Sequence, residues 1–199
     1  WAELRVAILP GLSPYAPLWE SQRALSVRRW RGEISDTLIL LEHEPVVTLG
    51  KSALRQHLLL SEAEFKKRGV SIVPVDRGGD VTYHGPGQLV GYWIFDLKQH
   101  GEDVHHFLRA IEEVLIRTLA DFGIAGERSA GATGVWGGNK KIAAMGLHLS
   151  HWVSTHGFAL NVSTDLAPFD WIVPCGLRDR GVTSMERLLG APPEFSSVA

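Results

Sequence analysis

The sequence predicts an α+β fold: a mixed, largely antiparallel sheet with helices packed on one side. Three observations predict it. Short β-branched and aromatic runs occur in groups instead of alternating strictly with helices. One long stretch repeats its apolar residues at helical spacing. A chain of 199 residues with no internal repeat, low-complexity tract or linker fits a single domain over 1–199.

Each element has its own signal. Ser13-Pro14 reads as an N-cap and first-turn proline, followed by Tyr15, Leu18, Trp19, Gln22 and Leu25 at helical spacing, which predicts an amphipathic helix over 14–30. Residues 37–41 and 46–49 are short strand-like runs on either side of Glu44-Pro45. Ser61 with Glu64 is a capping box for a short helix closed by Gly69, and 71–75 follows as a strand. Residues 88–97 read as a strand. Asp103 then caps a stretch in which Val104, Phe107, Leu108, Ile111, Leu115, Leu119 and Phe122 line one face before Gly123. From 131 to 162 the chain is strand-like and glycine-rich, with 141–149 and 152–162 paired as a hairpin. Thr183 with Glu186 suggests a second capping box and a last short helix.

Composition narrows the functions. Net charge is −2 with the signs interspersed, so there is no basic stripe for nucleic acid. No apolar run reaches the ~20 residues that span a bilayer, and 1–10 lacks the charged flank and cleavage site of a secretory signal. A single cysteine cannot form an internal disulfide, which points to a reducing, cytoplasmic setting. Arg28, Arg29 and Arg31 beside Trp30 are either a local patch for an acidic partner or a solvated helix end.

Three segments carry chemistry. In 77–88, paired glycines permit close backbone approach to a ligand, while arginine, threonine, tyrosine and histidine supply donors; an ordinary hairpin with a satisfied histidine is the other reading. The spacing matches neither phosphate-loop fingerprint. In 139–147, adjacent lysines on a strand face opposite ways, so one can reach a pocket; Lys141, on the face of Ala143 and Met145, is chosen over Lys140. In 155–176, Cys175 lies between Pro174 and Gly176 in a turn, and is either a small buried hydrophobe or a reactive thiol. A thiol of pKa about 8.5 is mostly protonated at neutral pH, and a nearby ammonium would favour the attacking thiolate.

Taken together, RGGDVTYHGPGQLVGY at 77–92, KIAAMG at 141–146, HGFALNV at 156–162 and PCG at 174–176 resemble the lipoyl(octanoyl) transferase family. The resemblance implies the fold of biotin and lipoate protein ligases. It also implies an acyl thioester on Cys175, with Lys141 lowering the thiol pKa and serving as general acid and base. The substrate-binding residues implied are Arg77, Gly78, Gly79, Asp80, Val81, Thr82, Tyr83 and His84, then Ala144, Met145 and Gly146, then Gly157, Phe158 and Ala159. The implied partners are octanoyl-acyl carrier protein as donor and, as acceptors, lipoyl domains of 2-oxoacid dehydrogenase complexes and the glycine cleavage H protein. No cofactor or metal is implied. Lys140, His148 and His151 are left unexplained. An ATP-dependent ligase of the same fold would need no thiol, a non-catalytic lipoyl-domain binder would transfer nothing, and a zinc hydrolase built on His148 and His151 lacks the HExxH helix.

Overall fold

In a computed structural model, which describes residues 3–173 and 181–199, the chain begins with a strand the sequence did not announce, β1 (Leu4–Ser13). Its Leu4, Val6 and Ile8 are exposed, so it lacks the buried alternation by which strands are recognised. Helix α1 (Tyr15–Trp30) follows with Pro14 at its N-cap and no side-chain cap. Ser13, expected to cap it, instead ends β1, and its carbonyl accepts from His43 Nδ1 at 2.8 Å. Next come β2 (Asp36–His43), β3 (Val46–Leu49), α2 (Glu62–Lys67), β4 (Ser71–Pro74), β5 (Val81–His84) and β6 (Gln88–Ile94). The capping box of Ser61 and Glu64 on α2 is formed as expected.

Helix α3 (Val104–Asp121) is capped by Asp103, whose carboxylate accepts from the amides of His105 and His106. The two-residue β7 (Gly126–Glu127), β8 (Val135–Gly137), β9 (Lys140–Ser150) and β10 (Val153–Asn161) are the remaining strands among the described residues. Helices α4 (Met185–Leu189) and α5 (Phe195–Val198) close the chain. The cap of α4 lies one residue later than expected, on Ser184, whose hydroxyl accepts from Arg187 N.

Seven strands form the main sheet in the order β1-β2-β6-β10-β9-β8-β7, all antiparallel except β1 with β2. A second sheet has the order β4-β3-β5. The mixed sheets and helices are of the expected α+β class, but the helices are not all on one side. Ile39, Leu41, Val90, Tyr92 and Ala159 pack with Tyr15, Leu18, Trp19 and Leu25 of α1. Their strand neighbours Leu40, Leu89, Trp93, Phe158 and Leu160 pack with Phe107, Ile111, Leu115 and Leu119 of α3. Because adjacent strand residues face opposite ways, α1 and α3 cover opposite faces of the sheet. Among the described residues, no helix is long and apolar enough to cross a membrane.

Candidate active site

The site is built where β9, β10 and β6 lie side by side. Ala144 pairs with Ala159 and that residue with Val90, Met145 with Phe158 and that with Gly91, and Gly146 with Gly157 and that with Tyr92. Ala144, Gly146, Gly157 and Ala159, in register on β9 and β10, leave that part of the sheet low on its α1 face, with Tyr92 of β6 standing beside it. The Gly78 amide donates to Leu147 O at 2.9 Å, which seats the 77–80 turn over β9. A Cβ on Gly146 would lie 2.6 Å from Gly78 O, so only glycine permits this approach.

The result is a cleft of about 440 Å³ including its open mouth. One wall is Arg77, Gly78, Gly79, Thr82 and His84; the floor is Ala144, Met145, Gly146, Gly157, Phe158 and Ala159. Tyr15, Tyr92 and His156 form the remaining wall. Arg77 is buried and held by Thr48, its Nη2 donating to Thr48 O at 2.9 Å and Oγ1 at 2.8 Å, so its charge stays beside the cleft.

Three residues expected at the cleft stand away from it. Val81 and Tyr83 alternate with Thr82 and His84 along β5 and therefore face the other way. They pack in the small sheet's core, Tyr83 edge-on to Phe169. Burial pushes the Tyr83 hydroxyl up to about 12. Asp80 turns toward His57, with Oδ2 2.6 Å from Nδ1, while its Oδ1 accepts from Val81 N.

Lys141 is buried on β9 and Lys140 is exposed. The Lys141 ammonium lies 4.9 Å from the centre of the Trp136 ring, a cation–π contact. It stands beyond Ala144, outside the cleft lining. The Lys141 amide donates to Gly181 O, and its carbonyl accepts from Thr183 N at 2.9 Å. Cys175 lies outside the described residues. The chain before it is fixed at Val173, whose amide donates to His57 O at 2.8 Å.

A polar network that sequence reasoning missed runs along the α1 side. His43 Nδ1 donates to Ser13 O, so its Nε2 accepts from the Tyr92 hydroxyl at 2.6 Å. Burial lowers the His43 imidazole to about 4 and raises the Tyr15 hydroxyl to about 12. Burial, with His43 nearby, also holds His84 well below the usual imidazole range; its Nδ1 donates to Gln88 Oε1 at 2.7 Å. His156 Nε2 donates to Asp76 Oδ1 at 2.7 Å, and that hydrogen bond lowers the Asp76 carboxyl to about 2. The available signal was a polar Gln22 at the same helical spacing as Tyr15, Leu18, Trp19 and Leu25, on the face that the structure buries.

The other sequence candidates separate. Arg29 is buried and pairs with Asp36 at 2.7 Å, so it cannot join Arg28 and Arg31 in a surface patch. His148 points to Asp76, whereas His151 stacks on Trp30 with ring centres 4.4 Å apart, so the two do not converge.

Residues 14–199 match the family model for the lipoyl protein ligase A/B catalytic domain. The chain belongs to the lipoyl protein ligase A/B family. Within it, the chain is 54% identical over 192 residues to an octanoyltransferase of Chloroflexus aurantiacus, covering 95% of this chain and 86% of that one. It is 53% identical over 191 residues to an octanoyltransferase of Rubrobacter xylanophilus, with the same two shares. A solved lipoate-protein ligase A bound with ATP superposes with a TM-score of 0.76 at 18% identity, covering 98% of this chain and 81% of that one. At that identity the likeness to this family member shows the fold, which is the ligase-like fold expected from the sequence.

Proposed function

We propose that the chain, as one catalytic domain, transfers an octanoyl group from octanoyl-acyl carrier protein to a lysine of lipoyl domains. The observation that carries this reading is the near full-length identity to octanoyltransferases. The cleft agrees with it: a floor of alanine, glycine and Met145 offers apolar wall and close backbone to an acyl chain. The Cys175 thiolate attacks the donor's carbonyl carbon, the C–S bond to the carrier breaks, and the Lys141 ammonium gives its proton to the departing sulfur, so that the carrier leaves as a thiol and Lys141 is left neutral. The acceptor amine then attacks the Cys175 thioester, Lys141 takes the amine proton, and the thiolate is released. The role of Lys141 is supported by its burial and by its backbone pairing with Gly181 and Thr183. No cofactor or metal enters this scheme, and the reading keeps the reaction in the cytoplasm.

Because the acyl group waits on the enzyme between two protein partners, kinetics are ping-pong. Incubation with octanoyl-acyl carrier protein alone should add one octanoyl group to the peptide containing Cys175, and apo lipoyl domain should remove it. Normal product formation with no such adduct would sink the covalent route. The likeness to an ATP-bound ligase favours a second reading, activation of the free acid as an adenylate. Product formed from octanoate and ATP, but not from the carrier thioester, would select it.

A further inference from the structure

The cleft has two unlike ends. Along strand β9 the chain passes from Lys141 through Ala144 and Gly146 to His148, seven residue steps that span about 23 Å. Just past Gly146 and Gly157, three side chains from separate elements meet the Asp76 carboxylate. His156 Nε2 lies 2.7 Å from Oδ1, Trp19 Nε1 donates to the same oxygen at 3.1 Å, and His148 Nε2 lies 3.5 Å from Oδ2. The tautomers are mutually consistent. Lys51 Nζ donates to His148 Nδ1 at 3.3 Å, leaving Nε2–H for Asp76. Tyr15 OH faces His156 Nδ1 at 3.4 Å, leaving Nε2–H for the same carboxylate.

His156 is also held in an unusual backbone state, with φ of 61°, and its amide donates to the buried Gln22 Oε1 at 2.8 Å. A non-glycine residue in this region persists only where its surroundings fix it. Here Gln22, Tyr15 and Asp76 fix it so that the imidazole lines the cleft.

We propose that the Asp76–His156–His148–Trp19 cluster is the stop at the tail end of the acyl cleft and determines the length of chain accepted. This rests on the reading above, in which the reacting carbonyl lies at the Lys141 end. An acyl tail running along β9 meets alanine, methionine and glycine until Gly146 and Gly157. Beyond them it meets the His156 imidazole on the cleft lining, with Asp76, His148 and Trp19 hydrogen-bonded or charge-paired behind it, and would have to displace those partners without replacing them.

Binding of straight-chain fatty acids from six to fourteen carbons, measured by calorimetry, tests the stop without any transfer chemistry. For the unaltered protein, affinity should rise by about fourfold per methylene and then break. In Trp19→Ala and in His148→Ala, the rise should continue past that break by at least two carbons. A break at the same length in a folded variant, no break in the unaltered protein, or uniform loss at every length would each overturn the proposal. If Trp19→Ala fails to fold, His148→Ala, at a partly buried position, decides alone. A Cys175 adduct from octanoyl carrier protein is scored separately on the same samples: its absence with an intact length break refutes the thioester route, not the stop.

Discussion

Lys141 keeps a charged side chain in a nearly buried place by laying its ammonium on Trp136 and its stem beside Gly134. A Cβ on Gly134 would lie 2.9 Å from the Lys141 Cε and 2.8 Å from Ala143 O, at a backbone φ of 137° that side chains rarely adopt. Gly134→Ala should therefore push the lysine aside. If Lys141 is the acid and base of the proposed transfer, a loss of about tenfold or more in kcat is expected, with secondary structure unchanged by circular dichroism. Lys141→Ala removes the charge itself. If that charge stabilises the Cys175 thiolate, the midpoint of alkylation rate against pH should move upward in this variant. An unmoved midpoint would assign the role to another cation.

Helix α3 is held to the sheet by more than its apolar face. Glu112 is fully buried; Arg109 Nη1 donates to its Oε2 at 2.6 Å, Arg128 Nε to the same oxygen at 3.1 Å, and Gly134 N to Oε1 at 3.1 Å. Glu112→Ala leaves the buried Gly134 amide without its acceptor, while the partly exposed Arg109 and Arg128 can turn to water, and should cost about 1–3 kcal/mol in chemical denaturation. It should also loosen Gly134 and so the lysine beside it. The apolar face of α3 was legible because its residues repeat every three or four positions, yet Glu112 was not, since nothing local marks a charged residue as buried. Strand β1 was illegible for the opposite reason: its apolar residues are exposed at a sheet edge and Pro10-Gly11 interrupts it, with a register shift between Ile8 and Leu12. The cleft's glycines and alanines were found through the segments that carry them. Asp76, Tyr15 and His156 were not, because they come from three distant stretches and meet only after folding. Val81 and Tyr83, expected at the site with their neighbours, turn their side chains into the small sheet's core because the strand alternates.

Across the molecule, buried histidines tie stability to pH. An imidazole whose folded pKa lies below its unfolded value is protonated more readily when the chain unfolds. For His43, moved from 6.5 to about 4, its share of stability is present in full above about pH 6.5 and is lost progressively as pH falls to 4. The loss is on the order of 3 kcal/mol, and His84 and His156 are displaced in the same direction. Tm should fall between pH 6.5 and 4, less steeply in His43→Gln; parallel curves would show that other groups dominate.

The backbone pairing of Lys141 with Gly181 and Thr183 reaches beyond electrostatics. The amides of Lys141 and Thr183 exchange with solvent only when that ladder opens, so their deuterium uptake is a clock for the chain's docking onto β9. If acylation draws the two closer, these amides should slow when octanoyl carrier protein is added, while the exposed edge of β1 keeps its rate as an internal reference.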